Sequence, residues 1–200
     1  MKNLNLIPVI FCLGLPFLVT GCANMATPVA IPMQVSQQTP QDQAIKATAL
    51  QQLMELESRF AVSRVNIHSV AGNVLLTGQV PDKRLKKMAV KSIKSIAGVN
   101  AVHDFITVEP QLSYQQIQAD LAVTQKTYSM LASNPTLRNK GVFTTTENNV
   151  VYVMGRLSVE DNALLSSIMQ QANLTKVVLL IDNTDQGRNV LRSTRSLSVK

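Results

Sequence analysis

A short apolar pattern occurs twice in this 200-residue chain, and it constrains the fold more than any other feature. In the first copy Val74, Leu76 and Val80 are apolar at alternate positions, and Gly78 lies between them. A period of two is typical of a strand with one buried face. The pattern returns 77 residues later, at Val151, Val153, Gly155 and Leu157. A repeat at fixed spacing indicates two copies of one small module.

The residues around each strand predict the same order of elements in both copies. In the first, a helical apolar stripe over 45–60 precedes the strand pair, and a second helix over 82–97 precedes a last strand over 102–108. In the second, the first helix has an apolar stripe of Ile117, Leu121, Tyr128 and Leu131. We therefore predict an α+β protein of two tandem α-β-β-α-β modules, at 42–110 and 112–185, each with a small mixed sheet packed on two helices.

The second copy has more apolar surface than one such module can bury within itself. Its last strand, Val177–Ile181, is apolar on both faces, and the helix before it has a wide apolar face. Modules of about 70 residues bury little core alone. We expect the extra surface to pack on the first module.

The first 21 residues have the features of a secretory signal. Lys2 precedes an apolar run from Leu4 to Val19, which ends in Gly21-Cys22. The stretch from Leu18 to Cys22 resembles the lipobox of bacterial lipoproteins, in which the cysteine is acylated and becomes the first residue of the mature chain. That resemblance, with Ala23 after the cysteine, implies anchoring in the outer membrane facing the periplasm. An ordinary signal peptide or an uncleaved anchor helix is the alternative.

The net charge of +7 is unevenly distributed. Residues 22–41 carry no charge and are rich in proline and glutamine, which predicts a disordered tether. The tail over 186–200 contains Arg188, Arg192, Arg195 and Lys200 with no acid, and a basic disordered tail is predicted there.

The strongest local signal is a cluster of cations on the helix predicted over 82–97. Lys83, Lys87, Lys91 and Lys94 recur there at helical spacing, and Arg84 and Lys86 lie beside them, so that six basic groups are predicted on the face opposite the apolar stripe. Near an anionic bilayer each cation contributes about 1 kcal/mol. The same pattern is as typical of a solvated helix face, and an acidic protein or an anionic cell-wall polymer would be attracted as well.

The first copy resembles the BON family of small bacterial modules. The family pattern places Gly-x-Val-x-Leu-x-Gly-x-Val in a hairpin and Gly-Val after the second helix, and Gly72–Val80 and Gly98-Val99 match it. The second copy has Asn149 at the turn glycine. Behind a lipobox, the two copies resemble outer-membrane lipoproteins with paired BON modules, which support envelope integrity and bind anionic phospholipid.

The resemblance implies a lipid contact on the first helix of the second module. On that helix Lys126 and Tyr128 are the candidate contacts. In the first module the candidate contacts are the cations Lys83, Arg84, Lys87, Lys91 and Lys94.

Signatures of catalysis are missing from the sequence. His68 and His103 lie in or beside predicted strands without a spaced cysteine or carboxylate, and no nucleophile elbow, phosphate loop or metal spacing occurs. We expect a non-enzymatic protein without cofactor or metal, and the lipobox separates it from nucleic acid. The leading interpretation is a phospholipid-binding envelope lipoprotein. The alternative is a protein–protein adaptor in a cell-envelope assembly or secretion complex.

Overall fold

The computed structural model describes residues 38–184 and the backbone of residues 193–198. The predicted signal peptide, Cys22 and most of the predicted tether lie outside the described residues. Helix α1 begins at Pro40, two residues before the predicted module boundary. Thr39 caps it by accepting the N–H of Asp42 at 3.1 Å, and the Asp42 carboxylate accepts the N–H of Thr39 at 3.3 Å in return.

The elements of each module follow the predicted order. The first contains α1 (Pro40–Leu56), a 3₁₀ helix (Ser58–Val62), β1 (Arg64–Val70), β2 (Asn73–Val80), α2 (Lys83–Lys94) and β3 (Ala101–Val108). The second contains α3 (Tyr114–Ser133), β4 (Phe143–Glu147), β5 (Val150–Leu157), α4 (Val159–Gln171) and β6 (Lys176–Asn183). In both, the first two strands are antiparallel and the third is parallel to the middle one. The mixed sheets are as predicted.

The second sheet has a further strand that the sequence did not predict. Strand β7 (Ser193–Ser198) pairs antiparallel with β6. The prediction of a disordered tail over 186–200 therefore does not hold for these six residues. The outer edge of β6 offers a row of backbone donors and acceptors, and pairing with that edge outweighs the polar composition of the tail.

Each hairpin turn is held by an aspartate of the preceding helix. Asn148 and Asn149 have φ values of 50° and 61°, as a two-residue type I′ turn requires. Their N–H groups donate to the carboxylate of Asp120 at 2.7 and 2.9 Å.

The first module repeats this arrangement. Asp42 accepts the N–H groups of Ala71 and Gly72 at 3.1 and 3.0 Å, and the hydroxyl of Ser69 at 2.6 Å. Burial alone would raise the pKa of Asp42, but these hydrogen bonds and one from Thr39 outweigh it, so the pKa is lowered. The helix thereby fixes the turn, and the turn fixes the strand register.

The two sheets pack face to face, with the helices on the outside. On the first sheet Leu76 faces α1 and α2, whereas its neighbour Leu75 faces the second sheet. There Leu75 packs in a cluster with Phe143, Tyr152, Met154, Val178 and Leu180. The expectation that the second module packs on the first is confirmed, and β6 is buried on both faces as predicted.

Strand β2 is buried on both faces rather than one. All eight of its residues are buried, including the polar Asn73, Thr77 and Gln79. These side chains alternate with the helix-facing ones and lie against the second sheet. The expectation of one buried face is wrong because the second module covers the other.

Polar groups at the edge of the sheet interface converge on Glu147. Its side chain is 5% exposed. It accepts hydrogen bonds from Arg64 at 2.5 Å, from Asn66 at 2.9 Å and from Gln79 at 2.8 Å. A buried carboxylate needs this number of partners. The cluster joins β1 and β2 to the end of β4.

The stripe predicted to be buried on α3 is the main error in the helices. Leu121 is 41% exposed, and the buried residues are Asp120, Thr124, Thr127 and Leu131. Asp120 binds the hairpin turn, and the Thr124 hydroxyl donates to the Thr146 hydroxyl at 2.8 Å. These polar contacts rotate the helix, so that its apolar flank is left partly exposed.

The two strand glycines test the geometry of the repeat. Gly78 has a φ of 110°, and a Cβ there would lie 2.0 Å from the backbone oxygen of Arg64. A Cβ on Gly155 would meet nothing closer than 3.7 Å. We expect Gly78→Ala to lower the free energy of unfolding by more than about 2 kcal/mol, and Gly155→Ala to change it by less than about 1 kcal/mol. Urea unfolding of both variants measures the difference, and equal losses would contradict the geometry.

His68 makes stability depend on pH. Its ring lies 4.6 Å from that of Phe143 between the sheets, and burial, with a smaller effect of Lys46, lowers its pKa to about 4. Below pH 6.5 the unfolded chain takes up a proton that the folded chain does not. We expect the free energy of unfolding to fall by up to about 3 kcal/mol as the pH drops from 6.5 towards 4. His68→Gln should flatten this slope in urea titrations above pH 4.5, and the same slope in both proteins would contradict the assignment.

Candidate functional site

Helix α2 presents its lysines away from the core. Asp82 caps the helix by accepting the N–H of Leu85 at 2.8 Å. The core-facing stripe of Leu85, Ala89, Ile93 and Ile96 is buried as predicted. The lysines at 83, 87, 91 and 94 are exposed on the opposite side.

A groove of about 700 Å³ runs between α2 and strand β3. We call it the lysine groove. Its lining combines five cations, two apolar side chains and one acid: Lys83, Lys86, Lys87, Lys91, Lys94, Val90, Val108 and Asp104. Strand β3 is an edge of the first sheet, since the strand order is β1-β2-β3.

Lys86 differs from the other lysines of the groove because it is already bound. Its amino group lies 3.3 Å from the Asp104 carboxylate and donates to the backbone oxygen of Ile106 at 2.5 Å. Lys83, Lys87, Lys91 and Lys94 form no ion pair with any residue of the described part of the chain. Four positive charges are therefore available to a ligand.

Arg84, which the sequence groups with these lysines, does not line the lysine groove. It donates to Glu57 at 2.7 Å, and Arg59 joins Glu57 to Asp82. Hydrogen bonds from Arg59 and Arg84 lower the pKa of Glu57. Arg84 is 61% exposed, so its ion pair contributes little to stability.

On α3 the two candidate contacts do not share a face. Lys126 is exposed and Tyr128 is half-buried, and residues two apart on a helix point about 200° away from each other. Tyr128 instead lies on the same flank as Tyr114, Ile117 and Leu121. We call these four residues the α3 stripe. Tyr114 is 75% exposed.

The lysine groove and the α3 stripe belong to opposite outer layers. Helix α2 covers the outer face of the first sheet, and α3 covers the outer face of the second. Two stacked sheets lie between them, so the helical layers are on the order of 30 Å apart. The structure therefore does not bring the predicted lipid contacts of the two modules together.

Three acids of the structure were not predicted from the sequence: the one in the lysine groove and the two aspartates that bind the hairpin turns. Asp104 lies between Val102 and Ile106 in β3, where the apolar alternation is broken, and its side chain lines the lysine groove rather than the core. Asp42 and Asp120 each lie about one helical turn before an apolar residue. That residue is the buried Ile45 for Asp42 and the half-buried Val123 for Asp120. An acid in register with the apolar residues of its helix or strand is the signal that marks all three.

Within residues 38–184, no group of three His, Cys, Asp or Glu side chains is arranged to hold a metal ion. The helices of this part of the chain are also too short or too polar to cross a bilayer.

Comparison with known proteins identifies the first module. Residues 41–110 match the model of the BON domain. The chain is 31% identical over 121 residues to the outer membrane lipoprotein DolP of Haemophilus influenzae, covering 60% of this chain and 63% of DolP. It is 26% identical over 121 residues to the 21 kDa hemolysin of Actinobacillus pleuropneumoniae, covering 60% of this chain and 62% of the hemolysin. The chain thus spans less than two thirds of the length of these relatives.

Among solved structures, CdsD, a structural protein of the type III secretion system of Chlamydia trachomatis, aligns with 67% of this chain and 60% of its own. The sequence identity is 18% and the TM-score is 0.26, too low to relate the two folds. Residues 41–110 therefore match a BON domain, and a stretch of 121 residues of this chain is similar to DolP.

Proposed function

We propose that this protein is a periplasmic lipoprotein, anchored in the outer membrane through acylated Cys22, which binds anionic phospholipid and supports envelope integrity. Similarity to an outer membrane lipoprotein supports the envelope location. The lipobox-like stretch ending at Cys22 supports the anchor. We further propose that residues 112–185 are a second BON module, which their element order and strand pairing support.

The observation that carries the proposal is the α3 stripe. Tyr114 and Leu121 are 75% and 41% exposed, and Ile117 and Tyr128 flank them on the same side of the helix. A helix with such a flank binds in the plane of the bilayer interface, where tyrosine rings lie at the level of the headgroups. The family resemblance implies a lipid contact on this same helix, which supports the proposal.

The charges of α3 are compatible with an anionic surface. Its one acid, Asp120, is buried and bound to the hairpin turn, so it does not repel phosphate groups. Lys126 is exposed and points away from the α3 stripe. We therefore assign to Lys126 a long-range attraction of about 1 kcal/mol rather than a headgroup contact.

A bilayer at the α3 stripe is too far from the lysine groove to attract its charges strongly. The two outer layers are separated by on the order of 30 Å, and the Debye length at physiological salt is about 8 Å. Of the two predicted lipid surfaces, we therefore propose α3 as the membrane contact.

The proposed anchor would reduce the affinity that α3 needs. We propose residues 22–39 as the tether, and a coil of that length would have a dimension of about 25 Å. It would hold the modules near the surface at an effective concentration in the millimolar range. A narrow apolar flank then suffices for binding.

Vesicle binding by a fragment spanning residues 38–200 tests the proposal, because all three apolar clusters lie within residues 45–181. We expect binding to anionic vesicles and weaker binding to neutral ones. Changing Tyr114 and Leu121 to Ser should weaken binding to anionic vesicles by at least about tenfold, because both side chains lose apolar burial. Co-sedimentation measures the binding.

A matched control comes from the first module, where Leu50 and Met54 are 44% and 54% exposed on α1. Changing both to Ser should leave vesicle binding unchanged. Unchanged binding by the Tyr114/Leu121 variant, with its thermal midpoint preserved, would refute the α3 contact.

A further inference from the structure

The geometry points to a protein-docking site on the first module. We infer that the lysine groove and the open edge of β3 together bind an extended acidic segment of a partner protein, which adds to the first sheet as a fourth strand. This interaction is separate from the proposed membrane contact on α3.

The open edge of β3 has backbone groups that only side chains satisfy. The N–H of Ile106 donates to the Asp104 carboxylate at 3.1 Å, and its C=O accepts from Lys86 at 2.5 Å. Both groups point away from β2, because donors and acceptors in a strand alternate between its two sides. They are the groups that an added strand would bind.

The second module shows that this edge accepts a strand. Strand β6 is its counterpart of β3, and Ile181 is paired with Gly155 as Ile106 is paired with Gly78. At Ile181 the open side is occupied, because this residue pairs with Ser193 of β7. In the part of the chain that the structure describes, no strand occupies the same place beside Ile106.

The charge of the lysine groove selects an acidic segment. Four of its five lysines are unpaired within the described residues, and Val90 and Val108 supply apolar contact between them. Successive turns of a helix are 5.4 Å apart, and side chains on one face of a strand are about 6.6 Å apart. Acidic side chains at alternate positions of a strand therefore match lysines on successive turns of α2.

Segments of this chain do not have the required charge. The tail over 186–200 has a net charge of +4 and already supplies β7, and residues 22–41 have no charge. A second copy of the chain would bring the same basic tail. The segment therefore comes from a different protein.

Binding would replace the hydrogen bonds between Ile106 and the side chains of Asp104 and Lys86 with hydrogen bonds to the backbone of the partner segment. The incoming strand takes over the N–H and C=O of Ile106, which releases Lys86 to pair with an acid of the segment. Asp104 would then lie beside acidic side chains and oppose them. The native pair of Lys86 and Asp104 thus protects the edge until a sufficiently acidic strand displaces it.

Fluorescence anisotropy of labelled octapeptides tests the inference, with the full chain in a neutral detergent. One probe alternates Val and Glu, and a control probe alternates Pro and Glu, with equal charge and no backbone donor at every second residue. We expect the Val/Glu probe to bind at least about tenfold more tightly than the control. Asp104→Asn should tighten binding several-fold, and Lys87→Gln with Lys91→Gln should weaken it about tenfold.

Val108→Pro tests backbone pairing directly. Residue 108 follows Ile106 by two, so its N–H also points to the open edge, where proline is tolerated in a strand. We expect this variant to keep its thermal midpoint and to lose the preference for the Val/Glu probe. Equal binding of both probes, binding unaffected by Val108→Pro, or no binding of either probe would each overturn the inference.

A membrane role of the lysine groove is the competing outcome. If changing Lys83, Lys87, Lys91 and Lys94 to Gln abolishes binding to anionic vesicles while the Tyr114/Leu121 variant still binds them, the groove is a lipid surface. That result overturns both the docking site and the proposed contact on α3. Loss of vesicle binding in the Tyr114/Leu121 variant alone, with peptide binding intact, supports both.

Discussion

The packing of one sheet on the other is the contact on which the rest of the structure depends. Leu75 is fully buried by residues of the second module, and Glu147 holds Arg64, Asn66 and Gln79 at the edge of the same interface. Apolar burial provides most of the free energy, since a fully buried leucine contributes about 1.5–3 kcal/mol. The carboxylate cluster instead fixes the position of one sheet relative to the other, because any slip would separate a buried charge from its partners. The modules therefore form one rigid core, although each has its own helices and its own sheet.

This packing also separates the chemistry of the two outer surfaces. Each sheet has one face toward the other and one toward its helices, so the helices of the two modules are directed away from each other. The unpaired lysines are concentrated on α2, and the exposed tyrosine Tyr114 is on α3. A molecule with two unlike surfaces on opposite sides is suited to hold two unlike partners at once. The asymmetry is produced by side chains alone, because the two backbones follow the same plan.

Local patterns in the sequence predicted the elements well, and long-range contacts caused the errors. The alternation of Val74, Leu76 and Val80 located β2, and the apolar stripe over 45–60 located α1, because strand and helix periods depend on neighbouring residues. Burial of Thr77 and Gln79 was not predictable, since it depends on a sheet that lies about 70 residues away. The rotation of α3 was missed for the same reason: Asp120 binds a turn 28 residues further along the chain. The lysines of α2 were identified correctly as a surface cluster, but the groove beside them needs β3, which sequence spacing does not place.

The aspartates that bind the hairpin turns have a consequence for the order of folding. Their hydrogen bonds to the N–H groups of the turns join residues 28 to 30 positions apart, whereas the bonds that connect the two sheets join residues 68 to 109 positions apart. Shorter loops close at lower entropic cost, and chains with local contacts fold faster. Each module is therefore expected to assemble around its own turn before the sheets meet. In that interval the inner faces of both sheets are open to water, and a nascent chain is most exposed to misassembly. The arrangement that fixes strand register within a module thus leaves docking of the modules as the late step.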